Sequence, residues 1–383
     1  MPHQSVLSRC LITLILTGIA AQALTAAPWK FAVFCDGRTG GENGNTTGVN
    51  DVVARAIAAE VVKEKVSLVI YPGDLVNGNV RYGPIEMQFA AWKRSLAVVY
   101  DAKIPVYAIV GNHDVVASQD VPKGHVRSAW REAFPELPQN GPAGEEGFTY
   151  SVDFENACFI AADQFIGKKK GFDAKAYDSA TNSGMISPWV ISQVKGSKAR
   201  WVFVFGHETA FIGCHVDCLA NVPEERDALW DALGEKGGVY FAGHDHMYLR
   251  QVAPDRANRP VLTLVAGDAG APPQPYSNSG LNTEIGRKIV PQNFFLNAKT
   301  SPDEAEKGEG ATTKAVVVAK GPKVENTNGH PMYFGFVLIT VDDPVITGEW
   351  RAFTNYDTKT SAGPVAPEQP KFETLDRFTW PAK

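Results

Sequence analysis

The sequence predicts an α/β fold built on a largely parallel β-sheet that is buried on both faces. Short apolar runs rich in β-branched residues alternate with longer amphipathic segments over the first two-thirds of the chain, which is the pattern of βαβ units. The chain has 383 residues, of which 44% are hydrophobic and 21% are charged, so it has enough apolar material for a sizeable core.

The individual elements follow from hydrophobic periodicity. The strand WKFAVFC (29–35) precedes a helix over 49–65, in which Val53, Ile57 and Val61 recur at helical spacing. The pattern then predicts, in order, a strand over 66–72, a helix over 84–102, a strand over 104–111, a hairpin around Glu155-Asn156, a helix over 187–197, a strand over 200–206, a helix over 224–236 and a strand over 238–243. The later runs MYLRQV, VLTLVAG, YFGFVLITV and VITGEWRA alternate as antiparallel strands do.

Residues 28–354 are interpreted as one large domain. Within it, residues 267–331 are rich in Gly, Pro, Asn, Lys and Glu, and a stretch of this length without regular structure is typical of a functional or mobile segment. We therefore predict a loop-rich insertion over 267–331 and an extended C-terminal tail over 355–383.

The N-terminus has the pattern of a secretory signal peptide, predicted over residues 1–27. Arg9 precedes a short apolar run that ends in small residues at Ala21-Gln22-Ala23 and Thr25-Ala26-Ala27, the spacing that signal peptidases cleave. An uncleaved membrane anchor is the alternative, but an apolar core of about a dozen residues is short for a span of about 20. We expect an exported protein, periplasmic or secreted, without a transmembrane span after cleavage.

The cysteines agree with an oxidising compartment. Cys214 and Cys218 are close enough in sequence for a local disulfide, and a metal site completed by His215 or Asp217 is the alternative. The other two cysteines of the mature chain lie in apolar runs and are predicted to be buried thiols: Cys35 and Cys158. The formal net charge of -5 and the absence of a basic run predict no nucleic-acid partner.

Polar side chains with metal-binding chemistry follow the predicted strands directly. In a sheet of this kind the carboxyl ends of the strands open onto the ligand crevice. The groups at these ends are Asp36; Gly73-Asp74; Gly111-Asn112-His113-Asp114; Gly206-His207; and Gly243-His244-Asp245-His246. Turn chemistry explains any one group, but it does not explain why imidazoles and carboxylates, the ligands of Zn, Mn and Fe, gather at one edge. The sequence therefore predicts a metal site.

This ordered set resembles the calcineurin-like metallophosphoesterases over roughly residues 29 to 250. The family pattern is Asp-x-His, Gly-Asp, Gly-Asn-His-Asp or Gly-Asn-His-Glu, Gly-His and Gly-His-x-His, each after a strand and in that order. The resemblance implies a two-sheet sandwich flanked by helices (α/β/β/α). It also implies hydrolysis of a phosphomonoester or phosphodiester by a metal-bound hydroxide at a dinuclear site. The expected substrate is a phosphorylated small molecule or lipid headgroup.

The resemblance also implies a role for each residue. Two divalent or trivalent ions (Mn, Fe or Zn) would be held by Asp74 as the bridge, by Asn112, His207 and His244 on one ion, and by Asp36 and His246 on the other. His113 would donate a proton or a hydrogen bond near the leaving group, and Asp114 would orient the His113 imidazole.

Arg38 is where the sequence departs from the family. It stands where the first motif has a histidine, and a guanidinium cannot coordinate a metal. The ion on the Asp36 side would lose one protein ligand and be held more weakly. Arg38 itself would either contact a substrate phosphate or form a structural salt bridge at the edge of the crevice, for example with Glu42.

Other residues and functions complete the set of predictions. Asn77 stands where purple acid phosphatases carry a tyrosine ligand, which disfavours that branch of the family. The isolated histidines are predicted to be surface or packing residues: His125, His215 and His330. Two further functions stay open: a phosphate-ligand-binding protein with a degraded one-metal site, and a docking protein that uses residues 267–331.

Overall fold

The computed structural model describes residues 27–39, 45–116, 121–122, 124–165, 186–211, 215, 218–219, 222–273, 290–294, 333–355 and 369–381. For 290–294 only the backbone strand is described. Several predicted features lie outside these residues, namely nearly all of the signal peptide, Glu42, Cys214, His330 and most of the 267–331 insertion. Within the described part of the chain, no helix has the length and apolar character needed to cross a membrane.

Two mixed β-sheets form the centre of the fold. The strands of the six-stranded sheet are β1 (Trp29–Val33), β2 (Leu68–Tyr71), β3 (Val106–Ala108), β11 (Phe334–Asp342), β12 (Val345–Phe353) and β13 (Phe372–Trp380). Those of the seven-stranded sheet are β4 (Tyr150–Phe154), β5 (Ala157–Ala161), β6 (Trp201–Phe205), β7 (Val239–Ala242), β8 (Tyr248–Pro254), β9 (Pro260–Ala266) and β10 (Val290–Phe294). Their orders are β13-β12-β11-β1-β2-β3 and β10-β8-β9-β7-β6-β5-β4.

Parallel pairing within each sheet brings strand ends to a common edge. β1, β2 and β3 are parallel neighbours, and so are β5, β6, β7 and β9. The remaining strands pair antiparallel, so each sheet is mixed rather than largely parallel. The hairpin predicted around Glu155-Asn156 is confirmed as β4 and β5.

Helices cover the sheets, and their buried faces match the sequence pattern. They are α1 (Asp51–Lys63), α2 (Ile85–Ser95), α3 (Ala97–Asp101), α4 (Asn112–Val116), α5 (His125–Ala133), α6 (Pro188–Gly196) and α7 (Pro223–Lys236), with a short 3-10 helix over Val80–Tyr82. Helix α1 buries Val53, Ile57 and Val61, the residues whose spacing predicted it. The predicted sandwich of two sheets flanked by helices is confirmed.

Phenylalanine side chains fill the space between the two sheets. Phe31 on β1 meets three rings of the other sheet at centroid distances of 5.1 to 5.9 Å: Phe159, Phe203 and Phe241. All four rings are buried, and burying one such side chain contributes about 1.5–3 kcal/mol. The cluster holds β1 of the first sheet against the middle of the second.

Two elements differ from the sequence prediction for physical reasons. The helix expected over 84–102 is divided into α2 and α3 at Leu96, where Ser95 Oγ donates to the Ala91 carbonyl (3.1 Å), a bond that bends helices. In the tail predicted as extended, residues 372–380 form β13, which pairs with β12 and carries a bulge at Leu375, opposite the step from Trp350 to Arg351. The bulge turns two successive residues, Leu375 and Asp376, inward, so the strand lacks regular alternation.

Candidate metal centre

The predicted ligands lie together beyond the carboxyl ends of the strands. They are Asp36 after β1, Asp74 after β2, Asn112 after β3, His207 after β6, and His244 and His246 after β7. All except the partly exposed Asn112 are buried. Since parallel neighbours end at the same edge of a sheet, the topology brings residues far apart in sequence to one place.

Three of these residues have backbone in the left-handed region. The φ angles are 59° for Asp36, 53° for Asp74 and 68° for His244, a conformation that is unfavourable for residues with a Cβ and that concentrates at functional sites. Hydrogen bonds hold the turns: the Asp36 amide donates to the Gly73 carbonyl (3.2 Å), and the His244 amide donates to Asp36 Oδ2 (3.0 Å). The sharp turns point the side chains at the end of each strand toward one another.

Gly111 allows the loops after β2 and β3 to approach closely. A Cβ built on Gly111 would overlap Asp74 Oδ1 and would lie 2.8 Å from His207 Cε1. Only glycine fits between these two candidate ligands, which explains why a glycine precedes Asn112.

On the Asn112 side, the separations between polar atoms suit one metal ion. Asn112 Oδ1 lies 2.9 Å from His207 Nε2 and 3.1 Å from His244 Nδ1. His207 Nε2 lies 3.4 Å from Asp74 Oδ1. Ligand atoms at about 2.0–2.1 Å from one ion are about 2.8–3.4 Å apart in octahedral and tetrahedral geometries, so the observed distances fit.

The protonation of His207 supports the same conclusion. Its Nδ1 lies 2.8 Å from the Pro72 carbonyl oxygen, which only accepts, so Nδ1 carries the proton. Burial lowers the pKa of His207 to about 4, and the ring is therefore neutral at pH 7 with a lone pair on Nε2. That lone pair faces two further acceptors, Asn112 Oδ1 and the Asp74 carboxylate. A cation between them would relieve the repulsion, so the residues on this side fit a metal.

The Asp36 side has a different arrangement. Asp36, Asp74 and His246 each offer a buried ligand atom, all within 4.8 Å of one another. Arg38, however, contacts two of these residues: its Nη2 lies 3.1 Å from His246 Nε2, and its Nε lies 3.4 Å from Asp74 Oδ2. Because His246 Nδ1 donates to the Pro272 carbonyl (2.8 Å), Nε2 accepts from Arg38. The lone pair that would bind an ion is already used, so this side does not fit an ion as arranged.

The two buried aspartates differ in pKa. Burial raises the pKa of Asp36 well above its usual range, and the charge of Asp74 raises it further. Burial also acts to raise the pKa of Asp74, but at low pH the positive charges of the protonated His207 and His113 imidazoles and of Arg38 outweigh it and bring the pKa below the usual range. Asp74 is thus the carboxylate that stays ionised, as expected for the residue shared by both sides of the centre.

His113 lies beside the centre, as predicted. Its amide donates to Asp74 Oδ1 (2.8 Å), and its Nδ1 lies 3.0 Å from the Asn77 carbonyl oxygen. The carbonyl fixes the proton on Nδ1, so that any proton exchange with a substrate takes place at Nε2. Asn77 therefore acts through its backbone, and its side-chain amide donates to the Thr39 carbonyl (2.8 Å).

The role predicted for Asp114 is corrected by its contacts. Its carboxylate accepts the amides of Val76 (3.1 Å) and Gly111 (2.7 Å) instead of orienting the His113 imidazole. Asp114 lies at the start of α4 and points back to the loops after β2 and β3, so it fixes those loops. Burial, followed by the charge of Asp74, raises the pKa of Asp114.

His215, predicted to be a surface or packing residue, lies in the centre. Its ring centroid is 4.4 Å from that of His244 and 5.9 Å from that of His246. Its Nδ1 and its amide each lie 3.0 Å from Asp245 Oδ1. No signal in the sequence indicated this position, because the pairing depends on Asp245 of the Gly-His-Asp-His motif being buried and in need of a partner.

The cysteine predictions have different outcomes. Cys35 and Cys158 are buried thiols, as predicted. Cys218 is buried, but its predicted partner Cys214 lies outside the described residues, so the disulfide stays a prediction. Likewise, Glu42 is outside them, and the ion pair that the structure describes for Arg38 is with Asp74.

Comparison with known proteins identifies the class. Residues 42–248, more than half of the chain, match the family described as calcineurin-like phosphoesterase. The chain belongs to this family, and the class predicted from the sequence, a metallophosphoesterase, is confirmed. The match begins after Asp36 and Arg38, the motif in which the chain departs from the family pattern. A search of curated proteins found no match.

Solved structures show the same fold. Purple acid phosphatase PPD1 from yellow lupin (Lupinus luteus) seeds is 15% identical with a TM-score of 0.50, and the match covers 92% of this chain and 54% of that protein. The chain therefore spans about half the length of the lupin phosphatase. The structure of PhoD is 13% identical with a TM-score of 0.56, and the match covers 93% of this chain and 70% of PhoD. At this level of identity the likeness establishes the fold alone.

Proposed function

We propose that the protein hydrolyses a phosphoester in a metal-dependent reaction at the strand-end centre. The residues that would hold the metal are Asp74, Asn112, His207 and His244. The observation that carries this proposal is the approach of two acceptors, His207 Nε2 and Asn112 Oδ1, to 2.9 Å beside an ionised carboxylate. Membership in the calcineurin-like phosphoesterase family supports it.

The residues around the centre have distinct tasks. A bound divalent ion would acidify a coordinated water and polarise the phosphoryl oxygens. The Pro72 carbonyl sets the tautomer of His207, and the Asn77 carbonyl sets that of His113. His113 then has Nε2 available to accept a proton or, once protonated, to donate one to the leaving group.

His215 adds an imidazole beside His244 and His246. Its Nδ1 is held by the buried Asp245 (3.0 Å), while 29% of its side chain remains exposed. A partly exposed imidazole fixed by a carboxylate suits contact with a substrate phosphate oxygen.

Export and substrate class are part of the proposal. The signal-peptide pattern of residues 1–27 supports export to the periplasm or medium, where the substrate would be a phosphorylated small molecule or lipid headgroup. An intact mass that retains residues 1–23 in the exported protein would contradict cleavage.

The family resemblance implies two ions, whereas the described contacts support one, on the Asn112 side. The hydrogen bond between Arg38 and His246 (3.1 Å) also favours a second candidate function, a protein that binds a phosphorylated ligand without turnover. The docking role suggested for residues 267–331 lies mostly outside the described residues and stays a prediction.

The test is hydrolysis of a panel of chromogenic phosphomonoesters and phosphodiesters by protein loaded with Mn²⁺, Fe²⁺ or Zn²⁺. Asp74→Asn should lower both bound metal and turnover, the latter by at least about a hundredfold, because it removes the ionised ligand. Asp51→Asn, at an exposed carboxylate paired with Arg55, is the matched control and should change neither. Full activity in Asp74→Asn would refute the site, whereas metal binding without hydrolysis of any ester would favour the second candidate.

A further inference from the structure

We propose that Arg38 supplies the second positive charge of this centre, so that the protein binds one metal ion where the family pattern implies two. The inference rests on the proposed function, since it takes the Asn112 side to be the metal-binding half. This role differs from the two that the sequence suggested for Arg38, a contact with a substrate phosphate and a salt bridge at the edge of the crevice.

The first support is the position of the guanidinium. Two of its three nitrogens contact residues that would otherwise hold an ion: Nη2 with His246 Nε2 (3.1 Å) and Nε with Asp74 Oδ2 (3.4 Å). His246 can only accept at Nε2, because its Nδ1 proton is bonded to the Pro272 carbonyl. An ion on this side would have to displace Arg38 from both partners.

The second support is that the backbone around Arg38 is held on both sides. Arg38 forms an antiparallel bridge with Val49. The flanking bonds run from the Thr39 amide to the Gly48 carbonyl (3.2 Å), from the Asn50 amide to the Gly37 carbonyl (2.8 Å), and from the Asn77 side-chain amide to the Thr39 carbonyl (2.8 Å). The side chain itself is only 13% exposed. The guanidinium is therefore placed by a fixed segment and is not a mobile surface group.

The third support is charge. Asp74 is almost fully buried, and its Oδ2 accepts no hydrogen bond from the described residues. A buried carboxylate requires a nearby cation, and the Arg38 guanidinium lies 3.4 Å from Asp74 Oδ2. Arg38 meets that requirement, and its charge would repel a second metal ion a few ångströms away.

The experiment is equilibrium dialysis of the full-length protein against Mn²⁺ alone, with metal and protein measured in each sample. The parent should bind one tight Mn²⁺ per chain. Arg38→His removes the fixed charge and offers an imidazole at the same position. This variant should bind two Mn²⁺ per chain, and its affinity for the second ion should be at least about a hundredfold higher than that of the parent. Electron paramagnetic resonance gives an independent readout: isolated Mn²⁺ in the parent, and a coupled Mn²⁺ pair in Arg38→His.

Two further variants make the result decisive. Arg38→Ala removes the charge without adding a ligand and should bind a second ion more weakly than Arg38→His does. Arg94→His introduces the same residue on the exposed surface of α2 and should bind one ion, as the parent does. Two tight ions in the parent, or one ion in every Arg38 variant that circular dichroism shows to be folded, would overturn the inference and leave the proposed function standing. A parent that binds no metal would instead contradict the proposed function.

Discussion

Among single residues, backbone carbonyls determine what the imidazoles of this centre can do. Each of three histidines places Nδ1 against a carbonyl oxygen at 2.8 to 3.0 Å: His207 on Pro72, His113 on Asn77 and His246 on Pro272. Since a carbonyl only accepts, Nε2 is the nitrogen that carries the lone pair in all three rings. His207 and His246 differ in the groups next to Nε2, which are acceptors at His207 and the Arg38 guanidinium at His246.

Asp268 provides a prediction about pH for a single residue. It lies two residues after β9, and burial raises its pKa to about 7 despite the hydrogen bond that its Oδ2 accepts from Trp350 Nε1 (2.6 Å). Between the ordinary aspartate pKa of about 4 and the value of about 7, the folded state holds a proton that the unfolded chain has lost. The free energy of unfolding therefore falls as the pH rises through this window, by up to about 1.4 kcal/mol per pH unit.

Asp268→Asn should remove that slope, because the amide keeps an acceptor for Trp350 and does not ionise. Urea denaturation of parent and variant at pH 5 and pH 8 measures the effect, with the parent losing stability relative to the variant at the higher pH. Asp343→Asn is the control, since Asp343 also accepts from a tryptophan, Trp201 Nε1 (2.9 Å), but is 29% exposed. Equal slopes in the parent and Asp268→Asn would show that Asp268 carries no proton in the folded state at pH 5.

Among the elements, the loops that form the metal centre are in close contact with one another. The loops after β2 and β3 meet at Gly111, and the carboxylate of Asp114 bonds to both through Val76 and Gly111. Asp36 follows β1 of the first sheet, and His244 follows β7 of the second. The hydrogen bond from the His244 amide to Asp36 Oδ2 (3.0 Å) therefore joins the two sheets at the centre. The geometry of the metal centre therefore depends on the contacts that hold the strand ends together.

Gly111→Ala tests this packing. The added Cβ would overlap Asp74 Oδ1 and press on His207, so we expect the affinity for Mn²⁺ to fall by at least about tenfold, the size of effect seen when metal ligands lose their orientation. Gly196→Ala is the matched control, because a Cβ added there, at the end of α6, would meet no atom within 4 Å. Isothermal titration of Mn²⁺ into both variants measures the difference, and unchanged affinity in Gly111→Ala would show that the loops can move apart freely.

For the whole molecule, the sheet topology explains how much of the site the sequence could predict. Once the apolar runs are recognised as strands of an α/β sheet, their ends are known to meet, and that rule places the polar strand-end groups at one edge. The choice of six ligands among them came from the resemblance to the metallophosphoesterase family. The fold class follows in the same way from alternation of strands and helices. These features depend on local periodicity, which a single sequence displays.

Features that depend on side-chain geometry were not predictable. His215 comes from a loop, and its place near His244 depends on its pairing with Asp245. Asp114 turned toward backbone amides instead of an imidazole. Strand β13 was missed because its bulge buries Leu375 and Asp376 in succession, which breaks the alternation by which strands are recognised.

Adding Mn²⁺ back to chelator-stripped protein tests the metal-dependent reaction directly, with turnover of a chromogenic phosphoester and bound metal determined in the same samples. The structure predicts no turnover in the stripped protein and a rise in proportion to bound metal that saturates at one ion per chain. Turnover that survives stripping, or a fully loaded protein that hydrolyses no phosphoester, would contradict the proposal that this strand-end centre is a metal-dependent phosphoesterase site.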